Sequence, residues 1–288
     1  MTLFGQKTGL RRQACFTFLS FSLAIVSCLF CSSLHAQSYQ SREGDSINPR
    51  LYIRTGYYLP NLRTSLRLDG QRLGTEVSLE DTFNLDEDLG VFRADVQYSL
   101  TKRSTLVASY TSIKRSNSAV LKEDFEFEDV IFEEGSGIKF NFDVDYIAAT
   151  YRYNLFNELN WNGGFSAGLR GVIINTGANA RINQETRSAS ASFVAPALLL
   201  GVHYSAYLRP RLLVSYSLEG LYLEVADLQV NIIESNASLQ YFFTKKVGAG
   251  LAFSTNNYRV RDIPLDDDFD GKVNFSFGGL NLFLSVRL

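Results

Sequence analysis

The sequence predicts an all-β fold, a closed antiparallel barrel that crosses a membrane, and three observations lead to this prediction. Apolar and polar residues alternate in segment after segment, as in strands whose successive side chains point to opposite faces. An export signal precedes these segments. After residue 36, no apolar run reaches the ~18 residues of a membrane helix. Strands with one face toward lipid and the other toward a polar interior account for all three observations.

The N-terminal segment, residues 1–36, has the features of a cleaved signal peptide. Arg11 and Arg12 supply positive charge, an apolar stretch follows, and Ala36 is the small residue expected at the cleavage site. The alternative interpretations are an uncleaved anchor helix, a lipoprotein site at Cys28 and a twin-arginine signal.

Composition narrows the chemistry of the mature chain. The three cysteines, Cys15, Cys28 and Cys31, all lie in the predicted signal peptide. We therefore expect no disulfide, no cysteine-bound metal and no cofactor in the mature protein. The net charge is −2, which provides no global basic field for binding nucleic acid.

Residues 37–48 are polar and predict a periplasmic N-terminal tail, and residues 49–288 form the predicted barrel domain. The first five strands each have one apolar face and one polar or small face. In the fourth strand, Phe140 and Phe142 have the opposite parity to Ile147, which indicates either a bulge or a portion above the bilayer. These five strands are predicted at 51–59, 92–100, 106–115, 138–155 and 165–173.

Five further strands repeat the same alternation towards the C-terminus. The last strand is the most regular, because the even-numbered residues from Leu280 to Leu288 are all aliphatic. Its other face is small or polar apart from Phe283. These strands are predicted at 197–205, 212–219, 233–243, 247–254 and 279–288.

The connections between strands alternate in length. Those near Lys102, Glu158, Pro210 and Lys245 are short, and the others are mostly longer and more charged. Membrane barrels have short periplasmic turns and long outer loops, so both termini are predicted to be periplasmic. This pattern gives about ten strands, with eight as the alternative if two weak strands are loop hairpins. Aromatic residues expected in an interfacial girdle precede the turns: Tyr98, Tyr153, Tyr204, Tyr241 and Phe243.

In its leader, its even strand number, its alternating short and long connections and its apolar last strand, the chain resembles Gram-negative outer-membrane β-barrel proteins. The resemblance extends from Leu51 to Leu288 and concerns architecture alone. It implies localisation in the outer membrane, contact with membrane lipids and lipopolysaccharide, and recognition of the C-terminal strand by the barrel-assembly machinery. It carries over no catalytic or ligand-binding residue.

Several charged side chains have inward parity and form the predicted lumen network. We expect them to pair and to fill a narrow lumen, because unpaired burial of a charge is costly. Roughly eight strands give a barrel filled by side chains, whereas roughly sixteen leave an aqueous channel. A narrow water-filled path for small solutes is the alternative. The network residues are Arg54, Arg93, Asp95, Arg152, Arg170, Glu219, Glu234 and Arg287.

His203 is the single histidine beyond the predicted signal peptide. Its parity places it inside the barrel near a periplasmic turn, with Ser205 on the same face. Barrel proteases and lipid-modifying enzymes would need a histidine beside Asp or Ser at the outer rim or facing the bilayer. We therefore interpret His203 as a structural lumen residue and predict no catalytic residue and no enzyme.

An acidic outer loop contains Asp266, Asp268 and Asp270, which are spaced as in the first half of a calcium-binding loop. Phe277 stands where the bidentate glutamate is expected, so no dedicated metal site is predicted. We interpret the loop as solvated, with weak divalent-cation binding, alone or bridging lipopolysaccharide phosphates, as the alternative. The acidic stretch from Glu123 to Glu134 has the same interpretation and predicts a charged hairpin extension.

The predicted function is that of an integral outer-membrane barrel with a largely plugged polar lumen. It would act as a structural or surface-interaction protein through its charged outer loops. The alternatives are a narrow pore for small solutes or hydrophobic molecules, and a barrel protease or lipid-modifying enzyme.

Overall fold

Ten antiparallel strands pair edge to edge into a closed ring. This computed structural model describes residues 47–69, 77–78, 90–121, 125–127, 130–132, 134–182, 185–225, 228–266 and 269–288. All of them belong to one folded unit, Asp45–Leu288. The predicted signal peptide and all of the predicted tail except Ile47 and Asn48 lie outside the described residues. No helix in the described part of the chain is long and apolar enough to cross a membrane.

Each ring strand pairs with its neighbours along the chain, which gives an up-and-down topology. The ring strands are β1 (Leu51–Asp69), β3 (Val91–Ser99), β4 (Ser104–Val120), β7 (Gly137–Asn157), β8 (Trp161–Ile182), β9 (Glu185–Arg209), β10 (Leu212–Val225), β11 (Leu228–Phe242), β12 (Val247–Asp266) and β13 (Phe269–Arg287). Outside the ring, β2 (Val77–Ser78) pairs with β1, and β5 (Phe125–Phe127) pairs with β6 (Val130–Phe132) in a separate hairpin.

The ring closes where the first and last strands meet. β13 pairs antiparallel with β1 from Tyr52 opposite Arg287 to Asp69 opposite Asp270. Backbone hydrogen bonds between Leu51 and Leu288 extend this seam to the chain end. Closure leaves no exposed sheet edge along the seam. The predicted closed barrel of ten strands is confirmed, and the eight-strand alternative is excluded.

Four short turns lie at the same end of the barrel as the N-terminus of β1 and the C-terminus of β13, and this end is called the lower end below. They connect β3 to β4, β7 to β8, β9 to β10 and β11 to β12. Thr101 and Thr244 stabilise two of these turns, since each side-chain hydroxyl accepts backbone N–H groups within its turn. All four turns fall where the sequence predicts them.

The outward face of the lower part of the barrel is an apolar belt. Leu282, Leu284 and Val286 on β13 are 46%, 61% and 38% exposed, whereas Phe283 and Ser285 between them are buried. The same alternation holds on the other ring strands, which confirms the predicted parity. Ala206 and Tyr216 are exceptions, because both are buried although their parity is outward. The girdle residues Tyr98, Tyr153, Tyr241 and Phe243 are exposed near the turns.

Above the belt, the outward side chains become polar. On β4 the outward series passes from Tyr110 to Ser112, and on β7 it passes from Ile147 to Asp145. Tyr110 marks the boundary, and its hydroxyl donates to Oδ1 of Asp145 at 3.0 Å. The outward side chains change from apolar to polar at the same level on five other strands. The last apolar residues there are Leu59, Ile173, Val194, Ile233 and Phe253, and the next outward residues, farther from the lower end, are Asn61, Asn175, Ser192, Asn231 and Thr255.

The inward side chains change in the opposite sense at this boundary. Most of those above it are apolar and buried, and Ile113, Ile138 and Val144 are at most 1% exposed, while Thr64 and Arg115 are buried polar residues among them. This set is called the upper core: Tyr58, Leu62, Val91, Ile113, Leu121, Ile138, Phe140, Phe142, Val144, Tyr146, Ala148, Val172, Ile174, Ala178, Leu199, Ile232, Tyr258, Phe275 and Phe277. The barrel is therefore a membrane barrel below the boundary and resembles a water-soluble barrel above it.

This inversion resolves the two interpretations of the fourth predicted strand. β4 pairs with β7 without a register shift, from Ser104 opposite Tyr153 to Val120 opposite Gly137. There is therefore no bulge beneath Phe140 and Phe142. Both side chains are inward and 2% exposed. The ring strands are also longer than predicted. β9 has 25 residues, whereas about 9–11 tilted residues cross a bilayer.

Candidate functional site

The interior below the upper core is a polar cavity of about 140 Å³, called here the lower chamber. All eight residues of the predicted lumen network line it. Serine, threonine, asparagine and glutamine side chains fill the spaces between these charges. The structure thus collects the predicted charges into one site, where they form two separate ion clusters and leave two arginines outside both.

The first ion cluster is centred on Asp95 of β3. Arg54 on β1 lies directly opposite Asp95 in the sheet, and its Nε donates to Oδ2 at 2.9 Å. Nη2 of Arg93 lies 3.3 Å from the other carboxylate oxygen. The Arg54 guanidinium also stacks 4.9 Å from the centre of the Phe283 ring. Two cations therefore share one buried carboxylate.

The second ion cluster spans the barrel. Arg170 on β8 donates through Nη2 to Glu219 on β10 and through Nε to Glu234 on β11, the latter at 2.9 Å. Two hydroxyl groups, from Tyr146 of β7 and from Tyr258 of β12, also donate to Glu234. β12 is the neighbour of β11, whereas β7 and β8 are not adjacent to β11 in the sheet, so the contacts of Arg170 and Tyr146 with Glu234 cross a narrow lumen.

Two glycines make room for this second cluster. A Cβ atom at Gly168 would collide with the Arg170 guanidinium and the Thr150 hydroxyl, and one at Gly201 would collide with the side chain of Glu219. Small residues at these inward positions let large charged groups extend across the lumen, as alternation of small and large residues permits in narrow barrels.

Arg152 and Arg287 lie outside both clusters. Among the described residues, neither guanidinium forms an ion pair, and the Nε atom of each is buried without a hydrogen-bond partner. Arg287 instead lies over the Phe242 ring, 3.4 Å from its centre, and 5.6 Å from that of Tyr207. The expected pairing across strands is therefore absent for Arg152 and Arg287 in the described part of the chain.

His203 lies in the lower chamber at its predicted place. It is buried, and its Nε2 lies 2.7 Å from Oδ1 of Asn154 on β7. Its Nδ1 is buried without a partner. Ser205, the other residue on this face, also lines the chamber. No acid or nucleophile hydrogen-bonds the imidazole in the described residues, so the arrangement lacks the partner that a catalytic histidine needs.

The start of the described chain crosses the lower mouth of the chamber. Ile47 is buried against Tyr207 and Phe242. The Asn48 side chain donates to Oδ1 of Asn157 at 2.9 Å and accepts from Nδ2 of Asn162 at 2.7 Å. Sequence reasoning assigned Ile47 and Asn48 to the tail and missed this role. The one feature of the sequence that could have indicated this role is Ile47, an apolar residue in an otherwise polar segment.

The predicted cation loop lies only partly within the described residues. Asp266 ends β12 and Asp270 lies near the start of β13, whereas Asp268 lies outside the described residues. In the described parts of the chain, no three His, Cys, Asp or Glu residues group closely enough to hold a metal ion. The acidic stretch 123–134 contains the β5–β6 hairpin, parts of which also lie outside the description.

No protein-family model matches the sequence, and no curated protein matches it. Among solved structures, the fold is similar to the outer membrane protease OmpT from Escherichia coli. That match has a TM-score of 0.53 and 10% identity, and it covers 87% of this chain and 99% of OmpT.

Two further structures align over most of the chain at lower scores. The translocator domain of the autotransporter NalP from Neisseria meningitidis has a TM-score of 0.45 and 10% identity, covering 94% of this chain and 98% of that one. Ail, the attachment invasion locus protein of Yersinia pestis, has a TM-score of 0.31 and 13% identity, covering 82% and 99%. At these identities the OmpT match shows the fold alone, which is that of a Gram-negative outer-membrane β-barrel.

Proposed function

We propose that this protein is a non-conducting, non-enzymatic barrel of the outer membrane that acts at the cell surface through the part above the membrane. The single observation that carries the proposal is the upper core, which fills the barrel interior above the lower chamber. A solute in the chamber would have to displace buried phenylalanine, isoleucine and valine side chains to reach the outside.

The apolar belt supports insertion into a membrane. Its outward leucine, valine and phenylalanine side chains would expose a large continuous apolar surface in water, which soluble monomers rarely do. The belt occupies the end of the barrel that carries the short turns and the termini. In outer-membrane barrels the short turns are periplasmic, so the extension above the belt would face the cell exterior.

The extension above the belt supports a surface role. Its outward side chains include Lys114, Ser116 and Lys139, which are exposed, and they surround an apolar core. A rigid column of this kind would hold the outer connections, including the acidic hairpin β5–β6, away from the bilayer. Lipopolysaccharide phosphates bridged by divalent cations, and protein partners with basic surfaces, are the binding partners that these acidic segments favour.

Single-channel conductance of the purified protein in planar bilayers tests this proposal. The proposal predicts no ohmic conductance above the bare bilayer, because the upper core excludes water. A steady open current would contradict it and would favour the narrow pore. Fractionation should place the protein in the outer membrane, and folded and heated samples should differ in electrophoretic mobility. Recovery as a soluble periplasmic protein would contradict membrane insertion.

A barrel enzyme remains the other candidate, and His203 is the residue that would carry it. Its Asn154 partner and its place in the lower chamber favour a structural role. The purified wild-type protein should therefore show no hydrolytic activity towards peptides or lipids beyond that of the His203→Ala variant. Loss of such an activity in this variant would contradict the proposed absence of catalysis.

A further inference from the structure

We propose that the lower chamber binds a small oxyanion, of the size and charge of inorganic phosphate, with Arg152 as its principal ligand. This inference concerns the interior of the barrel below the upper core. It is independent of the proposed surface role, because a non-conducting barrel can bind an ion from the periplasmic side. It rests on the charges, the unpaired donors and the dimensions of the chamber.

The chamber has more positive than negative charge. Five arginines and three carboxylates line it. Asp95 already has Arg54 and Arg93 as partners, and Glu219 and Glu234 share Arg170. The two arginines that remain outside these clusters have no carboxylate to balance them in the described chain. A buried excess of this kind is unfavourable unless an anion enters.

Arg152 is the arginine with the least compensation. Arg287 lies against two aromatic rings, which offset part of its charge. Arg152 has no such contact among the described residues. Its electrostatic neighbours include two further cations, Arg54 and Arg170, as well as Asp95. Its planar group of N–H donors matches the oxygens of phosphate, sulfate or a carboxylate, and charge-assisted hydrogen bonds of this kind are strong.

A second unpartnered group points to the same site. His203 is 7% exposed, lines the chamber, and lies close enough to Arg152 for their charges to interact. Because its Nε2 is engaged by Asn154, Nδ1 is the atom left without a partner. Because Nε2 donates to Oδ1 of Asn154, Nδ1 of the neutral imidazole is an acceptor, and it could accept a hydrogen bond from the hydroxyl of a protonated phosphate held by Arg152. Serine hydroxyls of β9 and β10, at Ser205, Ser215 and Ser217, line the same space.

The dimensions and the access route favour a small ion. The cavity of about 140 Å³ has room for on the order of ten waters, at ~10–15 Å³ of cavity volume per water, so a tetrahedral oxyanion of five non-hydrogen atoms fits inside it. The upper core blocks access from above. Access is therefore from the lower mouth, past Ile47 and Asn48, and the ion would come from the periplasm.

Calorimetric titration of inorganic phosphate into the purified barrel tests the proposal. The protein should be in a maltoside detergent, because phosphate-bearing headgroups would compete, and chloride at matched ionic strength is the control for screening. We expect saturable phosphate binding that chloride does not reproduce, and a matching rise in the temperature at which the heat-sensitive gel mobility changes. Absence of saturable binding to the wild-type protein would overturn the proposal.

Variants locate the ion. Arg152→Gln should weaken phosphate binding by about ten- to a hundredfold, since it removes a charge-assisted contact. Arg103→Gln, which removes the same charge from an exposed turn, should bind as the wild type does. In phosphate-free buffer Arg152→Gln should be at least as heat-stable as the wild type, because it removes an uncompensated charge. Phosphate binding by Arg152→Gln equal to that of the wild type would overturn the assignment.

A second variant applies if Arg152→Gln does not fold. Arg152→Lys keeps the positive charge but loses the planar donor group, so it should bind phosphate more weakly than the wild type. Undiminished binding by this variant would overturn the assignment.

Discussion

Removal of Arg170 should destabilise the barrel far more than removal of an exposed arginine. In Arg170→Met, Glu219 and Glu234 would stay buried without their cation, and their side chains are only 6% and 10% exposed. Glu234 would keep the hydroxyl donors of Tyr146 and Tyr258. Glu219 would lose its one ion-pair partner in the described chain, while its Oε1 is already without a hydrogen bond.

The size of this destabilisation follows from the free-energy cost of leaving a buried charge without a partner. Removal of one partner of a buried pair costs about 3–5 kcal/mol, and this corresponds to roughly a hundredfold to a few thousandfold change in the unfolding equilibrium constant. An exposed pair contributes only about 0–1 kcal/mol. We therefore expect Arg170→Met to lower the free energy of unfolding by about 3–5 kcal/mol.

Denaturant unfolding in lipid vesicles measures this change. Trp161 is the single tryptophan of the chain, and it packs near Phe156 and Tyr204, so its fluorescence reports folding of the lower end. Arg103→Met in an exposed turn is the matched control and should be nearly neutral.

A variant that removes all three charges tests the reasoning separately. Arg170→Met combined with Glu219→Gln and Glu234→Gln should recover most of the lost stability, because the second cluster then contains no uncompensated charge. A loss for Arg170→Met as small as that of the control would refute the account of the second cluster. A triple variant as unstable as Arg170→Met would show that packing, and not charge, dominates there.

Three further changes test other parts of the barrel. Val96→Arg, on the apolar belt, should cost about 2–4 kcal/mol in vesicle folding assays, whereas inward Gln97→Arg should be milder; equal tolerance would contradict the parity of β3. Phe142→Ala in the upper core should cost about 3–5 kcal/mol by denaturant titration, and a neutral result would show that this region is not tightly packed. Ile47→Asp should release the N-terminal segment from the mouth and speed trypsin cleavage after Arg50; unchanged cleavage would contradict its anchoring.

The fold of the membrane part could be predicted from the sequence because lipid imposes a strict rule on every strand. Each outward position between the turns must be apolar, so β3 and β13 can be recognised from their alternation alone. The part above the membrane does not obey that rule. There Phe140 and Phe142 point inward and Asp143 and Asp145 outward, so the same alternation carries the opposite meaning. The sequence offers no marker of the boundary, and the long strands were predicted as short ones with loops.

The lumen charges could be predicted as a set but not as pairs. Parity alone places Arg170 and Glu234 inside, since each belongs to a strand with a clear apolar face. Which groups meet depends on the register and on the width of the closed ring, because Arg170 crosses two intervening strands to reach Glu234. The lack of an ion-pair partner for Arg152 in the described chain follows from the same three-dimensional arrangement. Tyr146 and Tyr258 escaped prediction because both are uncharged; the Tyr146 hydroxyl reaches Glu234 across the lumen, and the Tyr258 hydroxyl reaches it from the neighbouring strand.

Thiol labelling of two adjacent residues tests the inversion of the barrel faces most directly. The mature chain is predicted to lack cysteine, so Ile113→Cys and Lys114→Cys would each carry one thiol. Ile113 is buried in the upper core and Lys114 is exposed on the outward face of the same strand. A water-soluble maleimide should label folded Lys114→Cys rapidly and leave folded Ile113→Cys unlabelled, while both react after heat unfolding. Rapid labelling of folded Ile113→Cys would show that water fills the upper barrel and would contradict the sealed interior.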